Sequence, residues 1–412
     1  MRMSTAIIAA VSALALAAPV HAKTIQVAAG DGAQRRLQEA LITAQPGDVV
    51  QLAAGRFVLT DGLSLDVNGV TVRGAGMEGT VLDFSGQQGA GEGLLVTSDD
   101  VTLRDFAVEN TKGDGIKSKG ADNVVYYRIR VTWTGGAKET NGAYGIYPVA
   151  STGVLVDGCK VSGASDAGIY VGQSKDITIR YSVAESNVAG IEIENSRNAL
   201  VTYNHVTRNT GGILVFDLPN LPVMGGGDVS ISGNTVVSND TPNFAPKGNI
   251  VASVRRGTGI MVMANDNVIV AGNRLDGNPT AQIMVISYPN AFTDARYNPT
   301  PREVKLLYND YGRGGYDPQL PGAAQLLAAF GGSLPPVLWD GLGKAPTAIG
   351  TDDQKSWTLN LSKQGAGFET ARPAPLKLGI DGPVPMTTPP LSRSRPFVPT
   401  GAPAALDARI AG

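Results

Sequence analysis

The chain has 412 residues, a formal charge of -2, 17% charged and 42% hydrophobic residues, and 52 glycines. With no basic excess to neutralise phosphates, an electrostatic nucleic-acid binder is excluded, and the apolar content at low net charge argues against long disorder. A single cysteine, Cys159, excludes an intrachain disulfide and zinc held by paired cysteines, and two histidines leave little room for histidine chemistry.

Residues 1–22 read as a secretory signal peptide: Arg2, a short apolar run from Ala6 to Ala18, and small residues Val20 and Ala22 before the cut. The run is too short to cross a bilayer of about 30 Å, so a periplasmic or secreted chain starting at Lys23 is expected. Ala33 to Ala44 has helical periodicity, with Leu37, Ala40, Leu41 and Ala44 on one face, and precedes a turn and a first strand ending at Leu52. That order predicts a helical cap over one end of a repeat.

The repeat is a Gly-Ile pair at Ile116, Ile146, Ile169, Ile191, Ile213 and Ile260, preceded by Leu63 and Leu94 and followed by Ile283. From Leu94 the intervals are 22, 30, 23, 22, 22, 47 and 23, a unit of about 22 with insertions. Each pair is followed by a second alternating segment and then a third. Asn187, Asn209, Asn239 and Asn278 close the third segment at a turn expected to need left-handed backbone. Three short strands of period 2 cannot bury their apolar side chains alone, but coils stacked about 4.8 Å apart can. The fold predicted is all-β: a parallel coil of three strands per turn, over residues 23–290. Beyond Asn290 the repeat stops in a stretch holding most of the 25 prolines. Gly322 to Phe330 reads there as a short helix, and the stretch is expected to pack on the coil and to be loose from Thr387.

If Ile points inward, its neighbour points out. The first outward column is Ser64, Leu95, Lys117, Tyr147, Tyr170, Glu192, Leu214, Met261 and Met284. The second includes Lys119, Glu194, Phe216 and Met263. One half is therefore charged and phenolic. The other is an apolar strip (Leu214, Phe216, Met261, Met263, Met284) that needs covering by the extension or an insertion, or else serves as a face for a protein partner. Insertions at 84–92, 133–143 and 240–257 precede the first strand and 218–227 follows it, making two banks of a groove.

The cap helix, Pro46-Gly47-Asp48, Gly55-Arg56-Phe57 and Gly69-Val70-Thr71-Val72-Arg73-Gly74 together resemble the right-handed parallel β-helix proteins of the pectin lyase-like superfamily, over residues about 24 to 290. A second resemblance is to exported β-helix-repeat proteins of unknown biochemical role, often encoded beside a c-type-cytochrome-like protein. The first implies a polysaccharide in the groove, with β-elimination or C5 epimerisation of a uronate polymer. That chemistry needs a cation, a base and an acid, for which Lys117, Tyr147, Tyr170 and Glu192 are the catalytic candidates. Lys119, Trp133, Lys138, Glu194, Arg255 and Arg256 are the candidates for holding substrate. The second resemblance implies a non-catalytic binding or assembly module with that cytochrome-like protein as partner. A third reading is an inverting glycoside hydrolase using Glu192 and Glu194, whose Cα atoms at i and i+2 stand roughly 6.5–7 Å apart. Calcium on Asp114, Asp166 and Glu192 is weighed against ordinary turn chemistry, which is preferred. No cofactor or metal site is assigned, and a monomer is expected.

Overall fold

The computed structural model describes residues 22–89, 91–376 and 399–411. The expected leader lies almost wholly outside these residues, as do residues 388–398 of the segment after Thr387.

Stacked coils dominate. One face is a ladder of short strands that includes Leu63–Leu65, Ile116–Lys119, Tyr144–Val149, Ala167–Gly172, Ala189–Glu194, Gly211–Phe216, Thr258–Met263 and Ala281–Ile286. We call it the front sheet. All its pairings are parallel except the last, where Ser356–Thr358 meets Ala374–Pro375. Residues Ile116, Ile146, Ile169, Ile191, Ile213, Ile260 and Ile283 face one another rung by rung. Each is fully buried in one continuous core. The repeat read from the sequence is thus the inward column of the coil.

The other two faces are joined in a second sheet. In the early coils the second and third segments are a single bent strand, Thr102–Glu109 and Val124–Thr132. Asp105 (φ 62°) and Arg128 (φ 51°) turn those corners in left-handed backbone. Later coils break there into two strands, and buried polar ladders line the two corners that flank the third segment. Asn187, Asn209, Asn239 and Asn278 form the expected one: each side-chain N–H donates to the next Oδ1 at 3.0–3.1 Å. A second ladder runs through Asn204, Asn234, Asn273 and Asn309 and ends on Asp352. The left-handed residue precedes the asparagine, as at Arg208 (φ 55°) and Tyr203 (φ 54°). The ladder asparagines also answer backbone carbonyls of the coil before them, so their side-chain donors are not orphaned inside the stack.

The cap helix Ala33–Thr43 buries Leu37, Ala40 and Leu41 against the first coils and covers ladder groups that would otherwise be open. At the other end the ladder outlasts the sequence periodicity. Lys305–Leu307 continues the second sheet, while Val337–Trp339 and Ser356–Thr358 extend the front sheet past Ala281–Ile286. The repeat therefore does not stop at Asn290. Pro299, Pro301, Pro318, Pro321, Pro335, Pro336 and Pro346 sit in the connections between these strands, where no ladder donor is lost, and Pro375 lies in the terminal antiparallel edge strand Ala374–Pro375. The short helix Ala323–Ala329 packs outside them, with Phe330 edge-on to Trp357 at 4.8 Å. Residues 399–411 lie across the second sheet. Leu406 packs on Val125 and Leu155, Asp407 pairs with Arg180 at 2.6 Å, and Arg409 reaches the carbonyls of Asp100 and Asn123. The part of the terminus that is described is docked rather than loose.

The asparagine ladder yields a prediction. Asn209→Ala strands the Asn187 side-chain donor and the carbonyl of Ala184, each at a cost of about 1–3 kcal/mol. Urea unfolding should show a midpoint loss of that order. An exposed control, Gln26→Ala, should change little.

Candidate functional site

The outward column of the front sheet carries the site. Lys117, Tyr147, Tyr170 and Glu192 occupy successive rungs, followed by Leu214, Met261 and Met284. Glu194 stands beside Gly172 on one side and Phe216 on the other.

Three tyrosines make the centre. Tyr144 lies 4.4 Å from Tyr147 and 4.6 Å from Tyr170, ring centre to ring centre, and Tyr147 meets Tyr170 edge-on at 4.8 Å. A Cβ on Gly172 would fall 2.2 Å from the Tyr170 hydroxyl oxygen, so glycine there lets the ring lie flat along its own strand. The hydroxyl lies toward the carboxyl of Glu194 on the next rung and works to lower its proton affinity. Tyr144 and Asn249, the latter from the 240–257 insertion, act on Asp166 in the same sense. Small residues opposite Tyr144 (Ala167, Ala189, Gly211) leave the space these rings occupy.

Beneath this layer sit three buried carboxyls. Asp166, Glu192 and Glu194 are 4%, 1% and 8% exposed. Burial, with the neighbouring Glu194 and Asp114 charges, pushes Asp166 up to about 7. Burial likewise raises Glu194 to about 7, against the hydrogen bond from Tyr170. Glu192 is raised well above the usual carboxylate range by burial and by Asp166 and Glu194, and its Oε1 has no hydrogen-bond partner. The Oδ1 of Asp166 is also unpartnered. Tyr144 and Tyr170 are raised by burial and by the acids around them, so they donate hydrogen bonds and hold their protons.

Lys117 closes the cluster on its open side. Its ammonium is 3.0 Å from Glu92 and 3.4 Å from Asp114, and it lies over the Tyr147 ring at 4.7 Å. Burial works to lower it, but the hydrogen bond to Glu92 and the charge of Asp114 override that, so it stays protonated above its ordinary value. Burial pushes Asp114 up, and Tyr147 too, the latter against the charge of Lys117. Lys119 and Lys138 are exposed. Among the described residues no group of three or more His, Cys, Asp or Glu is arranged to hold a metal ion.

The structure moves two candidates elsewhere. Trp133 is not a groove residue. Its ring is buried in the main core and its indole N–H donates to the Thr111 carbonyl at 2.7 Å. It continues the inward alternation of Ile129 and Val131 one step past the strand. Arg256 is paired with both Asp240 and Asp317 and ties the insertion to the C-terminal segment. Arg255 is exposed and lines the neighbouring hollow. Tyr144 is the site residue that sequence reasoning missed. It precedes the Gly-Ile pair at a position where the next three coils carry Ala167, Ala189 and Gly211, and a large ring heading that run of small residues was the available signal.

The apolar strip is covered by the chain itself. Leu214, Phe216 and Met263 pack under the insertion and the loop after Phe216, and Met284 under Leu320, Leu334 and Leu361. It is not an open face for a protein partner. A cavity of about 330 Å³ remains between these covers.

The two carboxyls raised to about 7 fix a sign for stability against pH. In the unfolded chain they ionise near their ordinary values, so the folded state holds the extra protons between about pH 4 and 7. Their contribution is most favourable below pH 4, falls as pH rises through 7, and is flat above. Denaturant unfolding from pH 4.5 to 8 should show a loss that Glu194→Gln reduces by on the order of 3 kcal/mol. An unchanged slope would mean that Glu194 titrates normally.

The stretch 68–236 matches the family described as the right handed beta helix region. Three solved structures superpose with a TM-score of 0.50 each. The A-module of mannuronan C-5 epimerase AlgE4 from Azotobacter vinelandii is 15% identical, over 77% of this chain and 90% of that one. The catalytic unit of the GH87 alpha-1,3-glucanase from Streptomyces thermodiastaticus strain HF3-3 is 16% identical, over 80% and 53%. The DFA-IIIase from Arthrobacter chlorophenolicus A6 is 11% identical, over 79% and 93%. No curated protein matches by sequence. No helix among the described residues is long and apolar enough to cross a membrane. At these identities the likeness is one of fold, and the fold is the right-handed parallel β-helix.

Proposed function

We propose that the front face binds a neutral carbohydrate and cleaves a glycosidic bond in it, with Asp166 and Glu194 as the proton carriers. One arrangement carries this reading: two buried carboxyls, each pushed up to about 7 by burial, stand beside three tyrosines on one face. Glycoside hydrolysis needs one protonated and one ionised carboxyl at working pH, and groups near 7 fill both roles. Glu192, deeper and without a partner, stays a neutral acid and keeps like charge off its neighbours.

The charge balance favours a neutral glycan over a uronate polymer. Glu92, Asp114, Asp166, Glu192, Glu194 and Asp217 crowd the face, and the Lys117 ammonium is already committed to Glu92 and Asp114. An incoming carboxylate would meet the ionised members of this set, and on the Lys117 strand it is exposed Lys119 that remains outside these pairs. Tyr147 and Tyr144, half-buried on the Lys117 side, offer ring surface for a sugar face. The name of the Streptomyces structure makes an α-1,3-glucan a sensible first substrate. We also place the chain in the periplasm or outside the cell, on the strength of its first 22 residues. Mass spectrometry of the exported protein should find Lys23 at its start.

The test is a panel of neutral glycans and uronate polymers, followed for new reducing ends and for the ultraviolet absorbance of an unsaturated uronate. New reducing ends from a neutral glycan are expected. Glu194→Gln or Asp166→Asn should lower turnover about 10²–10⁴-fold while leaving binding in place. An unsaturated product would return the lyase reading, and binding with no turnover of any polymer would make the protein a non-catalytic module.

A further inference from the structure

The cavity that remains on the covered half of the front face is too large to be a packing fault. Phe216, Met261, Met263 and Met284 form its floor, with Val254 of the insertion and Phe368 of the C-terminal segment as walls, around about 330 Å³. Small-molecule sites have this size and this mainly apolar lining, with few polar groups. An unfilled hollow of such volume forfeits dispersion contacts along its whole surface, and water within it would find few partners. Methionine side chains adapt to varied apolar shapes.

The polar groups at its edge are unequal. Asp340 is satisfied: it accepts from the Ser287 hydroxyl and N–H at 2.6 Å and from the Leu342 N–H at 2.9 Å. Arg255 lines the rim, is exposed, and makes no ion pair among the described residues. Its backbone is nevertheless fixed. The Arg255 carbonyl accepts from the Thr258 hydroxyl at 2.9 Å, and Arg256 next to it is held by Asp240 and Asp317. An uncommitted guanidinium on a pinned rim above an apolar floor is complementary to one chemistry. We propose that this cavity binds a small amphiphile, its apolar body on the methionine floor and its single acid group on Arg255. The site is distinct from the proton-carrying centre and does not depend on the proposed hydrolysis.

Two probes with nearly the same rings separate the parts of this claim: 1-anilinonaphthalene-8-sulfonate, which carries an acid group, and the neutral N-phenyl-1-naphthylamine. The intact chain should take up one equivalent of each saturably, by fluorescence titration. Arg255→Gln should weaken the sulfonate roughly tenfold and leave the neutral probe unchanged. Met284→Trp, which fills the floor, should remove both. Because Arg255 is exposed, its arm stands even if the tryptophan variant fails to fold. Absence of saturable uptake, a sulfonate affinity indifferent to Arg255→Gln, or a doubled mass by light scattering in place of uptake would overturn the proposal.

Discussion

Everything in this protein rests on one coil lying flat on the next. A strand of three to six residues has no stability of its own, because its apolar side chains cover only part of a core. Repetition converts that weakness into a single column, in which Ile116, Ile146, Ile169, Ile191, Ile213, Ile260 and Ile283 stack rung upon rung, most of them sealed above and below by a copy of themselves. The same repetition settles the polar corners. A buried asparagine is costly unless its donors and acceptors are answered, and an identical residue one rung away answers it. Stacked isoleucine and stacked asparagine are two consequences of the same register.

Fixed register also builds the functional face. Side chains separated by twenty-two residues in sequence become immediate neighbours, so chemistry is written down a column rather than along a loop. Tyr170 reaches Glu194 only because Gly172 stands between them on the sheet, and Asp166 is reached by Tyr144 of the coil before. Burial then sets the electrostatics, taking acids that would be ordinary carboxylates on an open sheet and pushing Asp166 and Glu194 up to about 7. The 240–257 insertion contributes through Asn249 beside Asp166.

The sequence carried the inward column, the cap helix and the division of the outward column into polar and apolar halves, because each is a strict alternation over many coils. It carried less where one residue must be judged alone. Trp133 reads as a loop residue, although its phase with Ile129 and Val131 marks it as core. Tyr144 is hidden because its position repeats no pattern, reading Asp114, Tyr144, Ala167, Ala189, Gly211 and Thr258 down the column. The asparagine ladder through Asn204 and Asn309 escapes notice since the left-handed residue before each rung varies among Tyr and Gly. The last coils, Val337–Trp339 and Ser356–Thr358, are invisible for a related reason: long proline-bearing connections separate strands only three residues in length, too short for period 2 to register. The fold is thus a property of repeats and was legible. The site is a property of their exceptions.

The most direct measurement is a carbon-detected NMR titration of the Asp and Glu side-chain carboxyls between pH 3 and 9. Two carboxyls should titrate close to neutrality, one disappearing in Glu194→Gln and the other in Asp166→Asn. If every resolved carboxyl on the protein titrates below pH 5, the front face holds no proton carriers, and glycosidic cleavage by Asp166 and Glu194 is contradicted.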